Sequence, residues 1–351
     1  MSLPPVEIPL GAMRFNSDSQ KLEYFNGQIW MQIHTFSPNL GGNGNASTDP
    51  TGNSADQVVG VRGIWAGGNT PTRLATIDYV NIASAGDAVN FGDLNEVKEG
   101  GGGISSNTKG VFAGGYNSGG ITDNTSYIII SSTGDGVDYN DLTDSTTSPA
   151  GFGNQTRGIV AGGKSPSNTD VIEYTTIASN ADWKDFGDTT FAHITGSGCS
   201  NGTRGVYNLG YVTPARVANI DYINIASTGN AQDFGDLTVT RNGTGALSNS
   251  IRGIWGAGET PSVVATMDYV TLATRGNAIE FGDMLSGRFN IPNDGASSPT
   301  RGVWGGGAAP SNQDVMQYIT IATQGNGVDF GNLTAAASHK MAVSNGHGGL
   351  G

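Results

Sequence analysis

Cys199 is the only cysteine in a chain of 351 residues. No disulfide can form within the chain, so packing and hydrogen bonds must hold the fold. Histidine is nearly as scarce. His34, His193, His339 and His347 share no spacing, and no His-Glu-x-x-His or Gly-x-Ser-x-Gly arrangement accompanies them, so zinc-protease and serine-hydrolase chemistry is not expected. Charge is sparse at 13% of residues, and 17 basic residues stand against 30 acidic ones, a net charge of −13. Phosphate recognition needs a basic surface, so no nucleic-acid partner is expected. Long apolar runs are missing too. The longest candidate, around Tyr127-Ile128-Ile129-Ile130, falls well short of the roughly 18 residues a membrane helix requires. It reads as a buried strand, and no membrane insertion is expected. Met1-Ser2-Leu3-Pro4-Pro5 carries neither the basic stretch nor the apolar core of a signal peptide, which predicts assembly in a cytoplasm.

Glycine is plentiful, with 56 residues, and it recurs on a period. A basic residue precedes glycine at Arg62, Lys109, Arg157, Arg204, Arg252 and Arg301, with spacings of 47, 48, 47, 48 and 49 residues. Tyrosine follows each at Tyr79, Tyr127, Tyr174, Tyr222, Tyr269 and Tyr318. A near-constant period of this size means one supersecondary unit built six times.

The fifth unit shows the pattern. Residues 246–249 form a short strand of small residues, and 252–258 a second strand closing on glycines. A loop covers 259–262, and 265–273 alternate with β-branched and aromatic residues as a third strand. A Gly276-Asn277 turn follows, and 278–281 form an edge strand. Four short antiparallel strands in fewer than about 50 residues make one propeller blade. The inner strands converge on the axis and must be narrow, which suits glycine and alanine. Tyr and Phe fill the widening gap further out. The tail Met341-Ala342-Val343-Ser344-Asn345 repeats the inner-strand text, whereas Asp56-Gln57-Val58-Val59 before Arg62 matches it poorly. The tail is therefore expected to supply the inner strand of blade 1 and to close a six-bladed ring.

The expected organisation is thus all-β. A small N-terminal β-meander module spans 1–38, a Gly/Asn/Ser-rich linker 39–56, and a six-bladed β-propeller closed by the C-terminal strand 57–351. The meander buries too little surface to be stable alone and needs a partner, either copies of itself or another protein.

The strand order resembles the kelch repeat, with Gly67-Gly68, Gly114-Gly115 and Gly162-Gly163 where kelch repeats have a double glycine. The kelch tryptophan is replaced by Phe91, Tyr139, Phe186, Phe234, Phe281 and Phe330. The N-terminal text around Arg14-Phe15-Asn16, Leu22-Glu23-Tyr24-Phe25, Gly27 and Trp30 resembles a short module of tailed-phage appendage proteins. The repeat text from Thr228 to Val239, with Arg204-Gly205-Val206, resembles structural proteins of marine phages, cyanophages especially. These resemblances imply a virion component, assembled in the bacterial host cytoplasm. Its N-terminal module would dock on other virion proteins through Arg14, Phe15, Tyr24, Phe25 and Trp30.

Three polar series remain. Acidic pairs flank the outer aromatics at Asp138/Asp141, Asp185/Asp188, Asp233/Asp236 and Glu280/Asp283. Carboxylate pairs can hold Ca²⁺, but the sixfold recurrence, with asparagine replacing one acid in Asn90/Asp93 and Asp329/Asn332, favours turn capping, and no metal or other cofactor is expected. The basic series, together with Asp78, Glu173, Asp221 and Asp268 before the tyrosines, reads as ion pairs that set strand register. Loops after the glycines vary between copies. There Arg73, Tyr116, Lys164, Tyr211 and Arg216 are candidates for contacting a host-surface glycan or protein. Cys199 stands where Leu247 and Val343 stand in other copies, as a small core residue. The expected role is a non-enzymatic tail or fibre component. The alternatives are a capsid decoration protein, and a glycan-active enzyme, which would need two carboxylates facing one pocket.

Overall fold

A computed structural model describes residues 9, 12–16, 21–26, 28–32, 61–292 and 295–350. The linker expected at 39–56 lies outside the described residues. Contacts divide the chain into two units, Met1–Val58 and Val59–Gly351.

In the first unit, Met13–Asn16, Lys21–Phe25 and Trp30–Gln32 form a three-stranded antiparallel sheet. Asn26 shapes its second turn, where its Oδ1 accepts the amides of Gln28 and Ile29 at 3.0 and 2.9 Å.

The second unit is a six-bladed β-propeller, and no α-helix occurs among the described residues. From the axis outward, blade 1 comprises Met341–Ser344, Arg62–Ala66, Thr76–Asn81 and Val89–Asp93. Its innermost strand thus comes from the far end of the chain, and Val343 lies opposite Ile64. Blade 2 comprises Gly102–Ser105, Lys109–Asn117, Gly120–Ile129 and Val137–Tyr139. Blade 3 comprises Ala150–Gly153, Arg157–Ala161, Ser167–Thr176 and Lys184–His193. In blade 4 the strands are Ser197–Ser200, Arg204–Asn208, Asn219–Asn224 and Gln232–Asp236. In blade 5 they are Gly245–Ser248, Arg252–Gly256, Thr266–Thr271 and Ile279–Asp283. Blade 6 has Ala296–Ser297, Arg301–Gly305, Val315–Thr320 and Val328–Asn332. The segment after the glycines, read from sequence as a loop, is in blades 1, 4 and 5 a two-stranded ribbon.

The inner and second strands are buried on both faces, as a strand wedged between two neighbouring sheets must be. Trp65, Trp255 and Trp304 are fully buried between blades. In every blade the third-strand tyrosine meets the outer aromatic edge to face, at 5.7–6.1 Å and 73–82°, the arrangement the ring quadrupoles favour.

Two glycine positions are dictated by geometry. The first of each double glycine has φ near +65°, as at Gly67, Gly114 and Gly162. A Cβ at Gly67 would overlap the carbonyl of Lys98. The glycine after the outer phenylalanine has φ between +140° and +154° at Gly92, Gly187, Gly235, Gly282 and Gly331. A Cβ there would strike the hairpin backbone of the next blade. The residue after it donates its amide to an Asp or Asn in that hairpin. Asp93 reaches Asp135 (3.0 Å), Asp188 reaches Asn230 (3.2 Å), Asp236 reaches Asn277 (3.2 Å), Asp283 reaches Asn326 (3.1 Å) and Asn332 reaches Asp87 (2.9 Å). The Phe-Gly-Asp text is thus a joint between blades.

Candidate functional site

The basic series takes a course the sequence reading missed. Each of Arg62, Lys109, Arg157, Arg204, Arg252 and Arg301 lies over the tyrosine of its own blade, at 4.6–5.0 Å from the ring centre. Each then donates to carbonyls at the end of the third strand of the following blade. Arg252 reaches Ile321 and Ala322 at 3.0 and 2.8 Å, and Arg301 reaches Ile82 and Ala83 at 3.3 and 2.8 Å, the latter across the junction of blades 6 and 1. These cations do not pair with the acids that precede the tyrosines. A guanidinium satisfied by neutral carbonyls over an aromatic face links one blade to the next without needing a buried counter-charge.

The acids serve elsewhere. Glu173 accepts the amide of Thr143 (3.0 Å) and its hydroxyl. Asp221 accepts Thr190 at 2.8 Å, and Asp268 accepts Thr238 at 2.7 and 3.1 Å. Asp78 accepts Thr334. Gln317, the neutral counterpart in blade 6, accepts the amide of Leu285 at 2.7 Å. Each therefore caps the chain leaving the preceding blade. Burial raises the pKa of Asp221 to about 6, against the Thr190 bonds that favour its charge.

A second basic series lies at these junctions. Lys98, His193, Arg241, Arg288 and Lys340 are all at most 2% exposed. Arg241 and Lys340 pair with Asp268 (3.0 Å) and Asp78 (3.3 Å). Burial lowers the pKa of Lys98 to about 8, opposed by Glu96, Asp141 and Asp138. Burial also lowers His193 to about 4, so its ring is neutral near pH 7. The 47- or 48-residue spacing of Lys98, Thr146, His193, Arg241 and Arg288 was available in the sequence, but the changing residue type hid it.

Around the axis, serines form a directional chain. Ser105 Oγ donates to Ser344 O, Ser344 to Ser297, Ser297 to Ser248 and Ser248 to Ser200, each at 2.8 Å, and Ser200 donates to Gly153. The chain stops at Gly153, where a Cβ would overlap the carbonyl of Arg157. Beside this ring, His347 Nε2 donates to Ser105 O at 3.0 Å, and the narrow axial cavity is about 30 Å³.

On the loop face, Arg73 lies 4.4 Å from the Tyr116 ring centre, and its Nε donates to Glu99 at 3.0 Å. Arg216 donates to Asn242 Oδ1 (2.7 Å), pairs with Glu259 (2.9 Å), and stands opposite Tyr211 on a ribbon. Tyr211 donates its hydroxyl to Pro214 O at 3.0 Å. Lys164 is exposed on blade 3. The fold thus joins Arg73 with Tyr116 and Arg216 with Tyr211, and sets Lys164 apart on its own blade. In the N-terminal sheet, Arg14 lies 4.2 Å from the Trp30 ring centre, and Phe25 meets Trp30 at 5.5 Å. Phe15 is 66% exposed, whereas the Tyr24 side chain lies outside the described residues. No group of three or more His, Cys, Asp or Glu able to hold a metal occurs among the described residues.

No protein-family model matches the chain, and no curated protein sequence matches it.

Proposed function

We propose that this protein is a structural component of a phage virion, non-enzymatic, in which the N-terminal module docks on the particle and the propeller presents its loop face outward. The tail or its fibres are the favoured location, and a host-surface glycan or protein is the favoured partner of the loop face. The observation that carries the reading is where the repeated polar residues go. The basic series is spent on joints between all six blades, and the four acids and the five serines are spent on such joints as well, rather than on one centre. Residues that differ between blades, Arg73, Tyr116, Lys164, Tyr211 and Arg216, stand on the variable loop face instead, where recognition residues usually sit. The likeness of the Arg14–Trp30 text and of the repeats to phage structural proteins supports the same assignment. Many weak contacts would be multiplied by the copies on one particle.

Within this reading the blades are kelch-like, and the C-terminal strand closes the ring. The double-glycine geometry and the pairing of Met341–Ser344 with Arg62–Ala66 support both points.

Adsorption competition tests the recognition role. Full-length protein in excess should slow adsorption of virions to host cells, and the double variant Tyr116→Ala/Lys164→Ala should compete less well. Adsorption indifferent to the protein would remove the recognition role and leave capsid decoration as the structural alternative.

A further inference from the structure

Five of the six junctions between blades are filled by a buried basic side chain, and one is not. At the junctions entering blades 2, 5 and 6, the basic group donates to backbone carbonyls of the blade it enters, and one of them, Asn124 O, Thr266 O or Val315 O, stands at the same register position each time. Lys98 Nζ reaches Phe112 O (3.1 Å) and Asn124 O (2.9 Å). Arg241 reaches Trp255 O (3.3 Å), Thr266 O (3.0 Å) and the Asp268 carboxylate (3.0 Å). Arg288 reaches Gly306 O (3.0 Å) and Val315 O (2.9 Å). At the junction entering blade 1, Lys340 reaches Asp78. The strand registers make Val160 the counterpart of Phe112 and Trp255, Val171 that of Asn124, Thr266 and Val315, and Glu173 that of Asp268 and Asp78.

In blade 3 this cradle has no cation of its own. The position of Lys98 and Arg241 is held by Thr146, whose short side chain reaches the Gly162 carbonyl at 3.3 Å. A cavity of about 150 Å³ opens there, lined by Thr146, Val160, Gly162, Val171 and Glu173, with Asp144, Ser165 and Thr169 more exposed. Glu173 is only 5% exposed. Burial raises its pKa, and Asp144 and Asp185 add repulsion, against the two Thr143 bonds.

We propose that this cavity binds a primary ammonium group on a short alkyl chain, held by Glu173 and the strand carbonyls of blade 3 in the place that lysine or arginine occupies at four of the other junctions. An ammonium has three donors and one positive charge. It matches two carbonyls and a carboxylate, and it neutralises a buried acid that has no cation beside it in its own junction. Asp144, exposed beside the cavity, adds attraction for a cation. A divalent metal fits less well, since only two carboxylates line the cavity. The site does not depend on the virion reading.

Isothermal titration of the full-length protein near neutral pH tests this, with n-butylammonium and acetyl-lysinamide as probes and tetramethylammonium and calcium as controls. Saturable one-site binding is expected for at least one primary ammonium probe. Binding of butylammonium alone would mark a free amine as the natural ligand, and binding of acetyl-lysinamide would mark a lysine side chain. The affinity should fall at least tenfold in Thr146→Lys, which supplies the missing cation from the chain, and in Glu173→Gln. If Glu173→Gln fails to fold, Thr146→Lys decides alone. Three results would overturn the proposal: no saturable binding of either probe, undiminished binding in Thr146→Lys, or equal binding of tetramethylammonium or calcium.

Discussion

A single substitution in a sixfold structure is informative because five other copies serve as controls. Arg252 and Lys109 occupy one position, and both lie over a tyrosine and reach the next blade's carbonyls, so the position requires a cation with reach rather than a particular head group. His193 is the instructive exception among the buried bases. Its ring stacks on Tyr207 at 6.0 Å, near Thr189 and the Phe191 carbonyl. Burial holds its pKa at about 4, against an ordinary 6.5. Between those values the unfolded chain binds a proton that the folded chain excludes, so stability drops as pH falls from 6.5 to about 4. The full effect is about 3 kcal/mol. Urea unfolding of wild type and His193→Gln at pH 7 and at pH 4 checks this. The wild type should lose about 3 kcal/mol more than the variant on acidification. Parallel losses would mean that His193 is not the group excluding the proton.

At the scale of the element, the text of each strand states its layer. Small residues mark inner strands, paired glycines the end of the second, tyrosine the third and Phe-Gly-Asp the fourth. Cys199 could be placed by this logic, and it lies opposite Val206 as Leu247 lies opposite Ile254. What the text does not state is the partner across a blade junction. Arg252 contacts Ile321 and Ala322 about seventy residues away, and Thr238 reaches Asp268 thirty residues on. Such distances depend on how adjacent sheets twist, so the acid and the cation before each tyrosine looked like partners when each served a different joint. The ribbons beyond the glycines were hidden for a related reason, because two-residue strands carry no alternation. The tail strand carries a prediction of its own. Removing residues 338–351 takes away Met341–Ser344, the Lys340–Asp78 pair and the serine link from Ser344 to Ser297. It leaves the Arg62 strand as an open inner edge. The truncated chain should not yield a folded monomer. A soluble truncation with unchanged thermal melting would contradict the closure.

For the whole molecule, six similar blades linked by hydrogen bonds and buried charges give a platform whose repeated residues are occupied internally. Its departures from repetition include the loop face and the junction between blades 2 and 3, where a threonine replaces a base. The proposed display role draws on this division. It does not by itself locate the module, because propellers serve many functions. Location is therefore the central claim to test. The most direct measurement is immunogold labelling of purified virions with antibody raised against residues 57–351. The account predicts gold on the tail or its fibres. Gold over the head would contradict the tail assignment and make this a decoration protein, and intact particles without gold would contradict the virion role altogether.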